Sequence, residues 1–166
     1  MRRKSALLST VGLIIALLVW RLLASLLPIG PASTEAQRLG IGLAALLPPV
    51  GVLILMILAQ MLARGAARVI DPTAGQETRL LLVNQRVITN SVEQLAIFAP
   101  ALLALAAPAD PTQMAAVAAL GGAFALARLL FWAGYLMAPL LRAPGMAATA
   151  GITVATWLAA CWAWLI

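Results

Sequence analysis

Five long apolar runs, at roughly 6–28, 39–63, 80–107, 112–140 and 146–166, constrain this chain more than any motif does. A helix needs about 20 mainly apolar residues to cross a bilayer, and each run reaches that length. With 64% hydrophobic residues in a chain of 166, a water-soluble domain has no means of hiding so much apolar surface. The chain reads as an all-α, multi-pass integral membrane protein.

The formal charge of +6 comes from 11 Lys and Arg against 5 Asp and Glu. The basic residues stand singly between apolar runs, a pattern of membrane topology rather than of nucleic-acid binding. With Arg2, Arg3 and Lys4 cytoplasmic, alternate crossings put Arg64, Arg68, Arg79 and Arg142 on the same side and leave only Arg38 in an outer loop. The carboxyl terminus is then outside, as is the short turn carrying Pro108, Asp110 and Pro111.

The first run also fits a signal peptide, with small residues Gly30 and Ala32 before Ser33. Its apolar character resumes after Arg21 through Leu27, longer than a signal needs, which favours an uncleaved extra helix over 1–33 ahead of a four-helix domain over 34–166. Pro48, Pro49 and Pro100 are expected to kink their helices, and Gly121 and Gly122 to mark close helix contacts.

There is no histidine and a single cysteine, Cys161, so the usual zinc sites, Ser/His/Asp triads and internal disulfides lack their parts and no metal site is expected. Cys161, beside Trp162 and Trp164 in an apolar setting, reads as a packing residue.

The informative residues are polar ones inside apolar runs. Arg86, Asn90 and Glu93 follow at i, i+4 and i+7 and fall within roughly 60° of one another on a helix. Glu93 lies about 10 Å further into the membrane than Arg86 and needs a partner. A second stripe holds Arg128, Phe131, Trp132 and Tyr135, with Arg142 two turns on, and Arg128 is the expected partner of Glu93. One reading makes these residues interhelical glue that fixes bundle register. The other makes a polar pocket near the cytoplasmic face, lined by Arg64, Arg86 and Arg142 and floored by Asn90 and Glu93, suited to a small anion.

Asn90-Ser91-Val92-Glu93-Gln94 with Phe98 and Pro100, Ala127-Arg128-Leu129-Leu130-Phe131 through Gly134-Tyr135, and Arg142-Ala143-Pro144 together resemble the MAPEG family, the membrane-associated proteins in eicosanoid and glutathione metabolism. The segment from Ala63 through Arg64 and Arg68 to Val69 is similar to that family's end of its first helix. The resemblance covers roughly Leu39 to Ile166, with the first run outside it.

It implies a MAPEG-like four-helix bundle, assembled as a homotrimer, binding glutathione between subunits and acting as a transferase or peroxidase on apolar electrophiles or lipid hydroperoxides. Arg64, Arg86, Asn90, Glu93, Arg128 and Tyr135 would then hold the cofactor, and Arg142 would stabilise its thiolate. Phe131 stands where many active members carry Tyr, Gly65 where leukotriene synthase-like members carry Arg, Ile88 replaces a polar residue and Gln94 an aromatic one. These departures leave a second expectation open, a non-catalytic lipid-binding or scaffold protein of the same fold. A transporter subunit is a weaker third, since no inverted repeat is visible.

Overall fold

A computed structural model of the protein describes residues 2–68, 75 and 77–165. Val69 and Ile166, which close two of the segments named above, lie outside the described residues. Among these residues six α-helices follow in order: α1 Arg2–Leu26, α2 Glu35–Ala45, α3 Leu47–Ala67, α4 Arg79–Ala106, α5 Met114–Met137 and α6 Ala143–Leu165. There is no strand among the described residues. Among the described residues five spans are long and apolar enough to cross a membrane, because α2 and α3 run on as one 33-residue span, Glu35–Ala67. The chain is an integral membrane protein.

The single run expected over 39–63 is therefore two helices joined at Leu46. The break has the expected cause: Pro48 and Pro49 bring no N–H, and both stand in the first turn of α3, where none is needed. Pro100 lies within α4, which continues through it to Ala106.

Helix starts follow their cap chemistry. Thr34 caps α2, its hydroxyl accepting from the Gln37 N–H while the Gln37 side chain accepts from the Thr34 N–H. Thr78 caps α4 by accepting from the Leu81 N–H. A single 3-10 turn, Pro111–Gln113, leads into α5, and the Asp110 carboxylate accepts from the Thr112 N–H at 2.7 Å and its hydroxyl at 2.6 Å.

α5 is the most buried helix and the hub of the bundle, packed by α1, α2, α3, α4 and α6. Phe98 of α4 stacks on Phe124 of α5, ring centroids 4.4 Å apart, among Leu102, Met114 and Ile152. Gly121 lies against the backbone of Ala45 and Gly122 against Leu23, as expected of close-contact glycines. α1 is integrated rather than peripheral: it packs on α5 and α6, and the Trp20 indole N–H donates to the Ala116 carbonyl at 2.9 Å. Arg38 ties the same end of the bundle, its Nε donating to the Ala107 carbonyl at 2.8 Å.

A second polar knot lies nearer the other end, where α3, α4 and α5 meet. Asn84 Nδ2 donates to the Met56 carbonyl and to Gln60 Oε1, at 3.1 and 2.9 Å. Gln60 Nε2 donates to the Leu81 carbonyl, and the Trp132 indole N–H donates to Asn84 Oδ1 at 2.7 Å. Each buried amide is satisfied on both its donor and acceptor sides, as burial in an apolar bundle demands.

Candidate functional site

α4 carries two chemically different faces. Val87, Ser91, Phe98 and Leu102 point into the bundle. Arg86, Asn90 and Glu93 form a separate stripe, with Arg86 and Glu93 exposed and Asn90 half-buried. Ser91 and Glu93 are two residues apart, hence about 200° apart around the helix.

That geometry decides the partner of Arg128, which is 1% exposed. Its Nη2 donates to Ser91 Oγ at 2.7 Å, its Nη1 donates to Asn90 Oδ1 at 3.1 Å, and its Cζ lies 4.2 Å from the Phe131 ring centroid. The expected Glu93–Arg128 pair is not formed. The cation sits on the Ser91 side of α4, and Glu93 faces the opposite way. Arg128 also lines neither recess described below; it stands behind them, holding Asn90.

A guanidinium only donates, so Asn90 must turn its carbonyl oxygen inward to Arg128 and leave its amide hydrogens for the outward side. Asn90 therefore offers donors, suited to a carboxylate or carbonyl group.

Two recesses flank the stripe and share Arg86 and Asn90. One, of about 390 Å³, is bounded also by Glu77, Gln85, Thr89 and Glu93. The other, of about 260 Å³, is bounded also by Phe131, Tyr135, Arg142 and Met146. The single pocket expected from sequence is thus two adjoining ones, with Glu93 in the first and Arg142 in the second. Arg64 reaches the first through Glu77, Nη2 to Oε1 at 2.9 Å, the one ion pair among the described residues. Glu77 thus offsets one of the three expected cations, and Arg86 and Arg142 together with the Glu93 carboxylate set the local charge.

Arg142 is not on the α5 stripe. α5 ends at Met137, and Arg142 sits in the following turn, its Cζ 4.7 Å from the Tyr135 ring centroid. Two glycines make this return possible. A Cβ at Gly134 would collide with the Leu141 carbonyl, and one at Gly145 with the backbone of Phe131. Without side chains there, the turn folds back onto α5 and the start of α6 presses on it. Phe131 and Tyr135 meet edge to face at 5.9 Å, so the recess wall is rigid aromatic surface.

Sequence reasoning missed Glu77, Gln60 and Asn84. A lone Gln in an apolar run and the i, i+7 spacing of Asn84 and Ser91 were the available signals for the buried network. Glu77, in a polar loop, gave none.

The model of the MAPEG family matches residues 11–162. The chain belongs to the MAPEG family. The match begins inside α1, so the family likeness reaches further toward the amino terminus than the motifs at 39–166 alone. No individually curated protein matches the chain. Membership in MAPEG agrees with the all-helical membrane fold and associates the chain, at the level of the family, with glutathione-related transferase or peroxidase chemistry.

Proposed function

We propose that the chain is a membrane-embedded glutathione-dependent transferase or peroxidase acting on apolar electrophiles or lipid hydroperoxides. The observation that carries this reading is the convergence of Arg86, Asn90, Tyr135 and Arg142 on one recess at the end of the bundle.

The residues fit glutathione, an anionic tripeptide with two carboxylates, an ammonium and a thiol. Arg86 and the amide hydrogens of Asn90 suit a carboxylate, and Glu93 suits the ammonium. When bound, glutathione supplies a thiol as nucleophile. Arg142 acts on that thiol by charge: a cation beside it favours the anion and lowers its pKa without a histidine. The aromatic wall of Phe131 and Tyr135 limits water around the charge, and Tyr135 has the hydroxyl to donate to it.

A homotrimer accompanies this reading. Gln85, Arg86, Thr89 and Glu93 are exposed on one face of a membrane-spanning helix. A charged side chain near the centre of a span costs about 2.5–3.5 kcal/mol or more in lipid, so another copy covers this face and closes the recesses. The distribution of positive residues supports a reading in which the site end, the amino terminus and Arg64 are cytoplasmic and α1 is retained as an extra helix.

The test is calorimetric titration of the purified protein with glutathione, together with turnover. Saturable binding that weakens in Glu93→Gln and Arg86→Gln supports the reading; no binding at millimolar glutathione contradicts it. The second reading, a non-catalytic lipid-binding or scaffold protein, is favoured by Phe131, which leaves Tyr135 as the only phenol in the chain. It predicts co-purifying lipid and no glutathione binding.

A further inference from the structure

A cavity of about 380 Å³ lies away from the Arg86 and Arg142 recesses, between α1, α5 and α6, with Leu105 of α4 at its edge. Leu13, Leu17, Trp20, Leu120, Ile152 and Thr156 form most of its wall. It is in the size range of small-molecule sites, about 300–1,000 Å³. Leu13 and Leu17 are about half exposed, so the cavity opens sideways to the surface that faces the bilayer.

Its wall is apolar except for one group. Thr156 is 1% exposed, and its hydroxyl has no hydrogen-bond partner among the described residues. Other threonines here avoid that state: Thr149 and Thr10 donate to the carbonyls one turn back, at 2.8 and 3.1 Å, and Thr153 donates to Gln94 Oε1. A buried hydroxyl left unpaired in apolar surroundings is costly, so an acceptor brought to it by a molecule in the cavity is favoured.

A second feature gives the charge of the occupant. Arg21 is exposed and lies four residues after Leu17, about 40° round α1 from a residue of the cavity wall. It follows Trp20, whose indole is fixed on Ala116. A cation beside the mouth of an apolar, bilayer-facing cavity complements an anionic lipid headgroup.

We infer that this cavity binds one acyl chain of an anionic phospholipid, with the Thr156 hydroxyl donating to an oxygen of its ester linkage and Arg21 facing its phosphate. The site is separate from the proposed glutathione recesses, shares no residue with them and does not depend on that activity.

The experiment places the intact protein in phosphatidylcholine vesicles containing a trace of phosphatidylglycerol with a diazirine on its acyl chain, irradiates, and maps the adducts by mass spectrometry. A parallel arm carries the diazirine on phosphatidylcholine. The expected result is adducts concentrated on Leu13–Trp20 and Gly151–Ala159, above those on the exposed belt of Leu55, Leu58 and Leu62, and stronger with phosphatidylglycerol. Thr156→Val, which keeps shape, lowers the yield about fivefold. Arg21→Gln removes the preference for the anionic probe, and Ala155→Phe, which narrows the cavity, removes the excess. Adducts spread evenly over both surfaces, or an excess that survives Ala155→Phe, overturn the site. Equal yields from the two probes overturn the assigned headgroup.

Discussion

Arg128 Nη1 donates to Asn90 Oδ1 at 3.1 Å across the interface of α5 and α4. This bond links a buried cation to the one residue of the α4 stripe that borders both recesses while also touching the bundle interior. It fixes which end of the amide faces the recesses, and it sets Arg128, which stands behind them, apart from Arg86 and Arg142, which line them.

Asn90→Asp tests that separation. Arg128 gains a carboxylate partner, so thermal stability in detergent holds or rises. The recess loses two donors and gains a negative charge, so glutathione affinity falls about tenfold or more, the loss of one charge-assisted hydrogen bond. Unchanged affinity by calorimetry contradicts the assigned amide orientation.

Gly134→Ala tests how Arg142 is positioned. The added methyl meets the Leu141 carbonyl, so the turn lifts away from α5 and carries Arg142 off the Tyr135 ring. A displacement of about 1 Å at a reacting group costs on the order of 100-fold in rate. Turnover should drop by that order while sedimentation shows the same oligomer.

Asn84→Leu opens the polar knot of α3, α4 and α5. It leaves Gln60 Oε1 and the Trp132 N–H without partners, at a cost of about 1–3 kcal/mol for each buried group. Unfolding in mixed micelles should show a loss of roughly 2–6 kcal/mol, and Trp132→Phe about 1 kcal/mol. Glutathione affinity should be little changed, since neither residue borders the recesses.

Asp110 gives a pH signature at the opposite end. Hydrogen bonds from the Thr112 hydroxyl and then from its backbone N–H hold the Asp110 carboxyl below the ordinary aspartate value. A pKa lower in the folded state adds stability above the unfolded value, and that stability is lost as pH falls through the folded one. The carboxyl is fully exposed, so the effect is small. A carbon-detected NMR titration should find the low pKa, and Thr112→Val should return it toward ordinary aspartate.

The spans were legible because length and hydropathy alone set them. The prolines at 48 and 49 announced a disturbance, though only the structure resolves it into separate α2 and α3. The α4 stripe was legible from its 3.6 period. The partner of Arg128 was not, because a carboxylate in a membrane span was assigned a cation in its own chain, whereas Glu93 is exposed on the outer surface of the bundle. Ser91, one residue from Asn90 and on the inner face, takes the place expected for Glu93. Arg142 was misplaced because helical spacing was continued past Met137, where the chain already turns.

In the proposed mechanism Arg142 stabilises a glutathione thiolate at this recess. The direct measurement is the ultraviolet thiolate band during glutathione titration of the detergent-purified protein, with Arg142→Ala measured alongside. A saturable band is expected in the native chain and is lost in the variant, while glutathione still binds and sedimentation is unchanged. A band of equal size in both proteins, or none in the native chain under saturating glutathione, contradicts it.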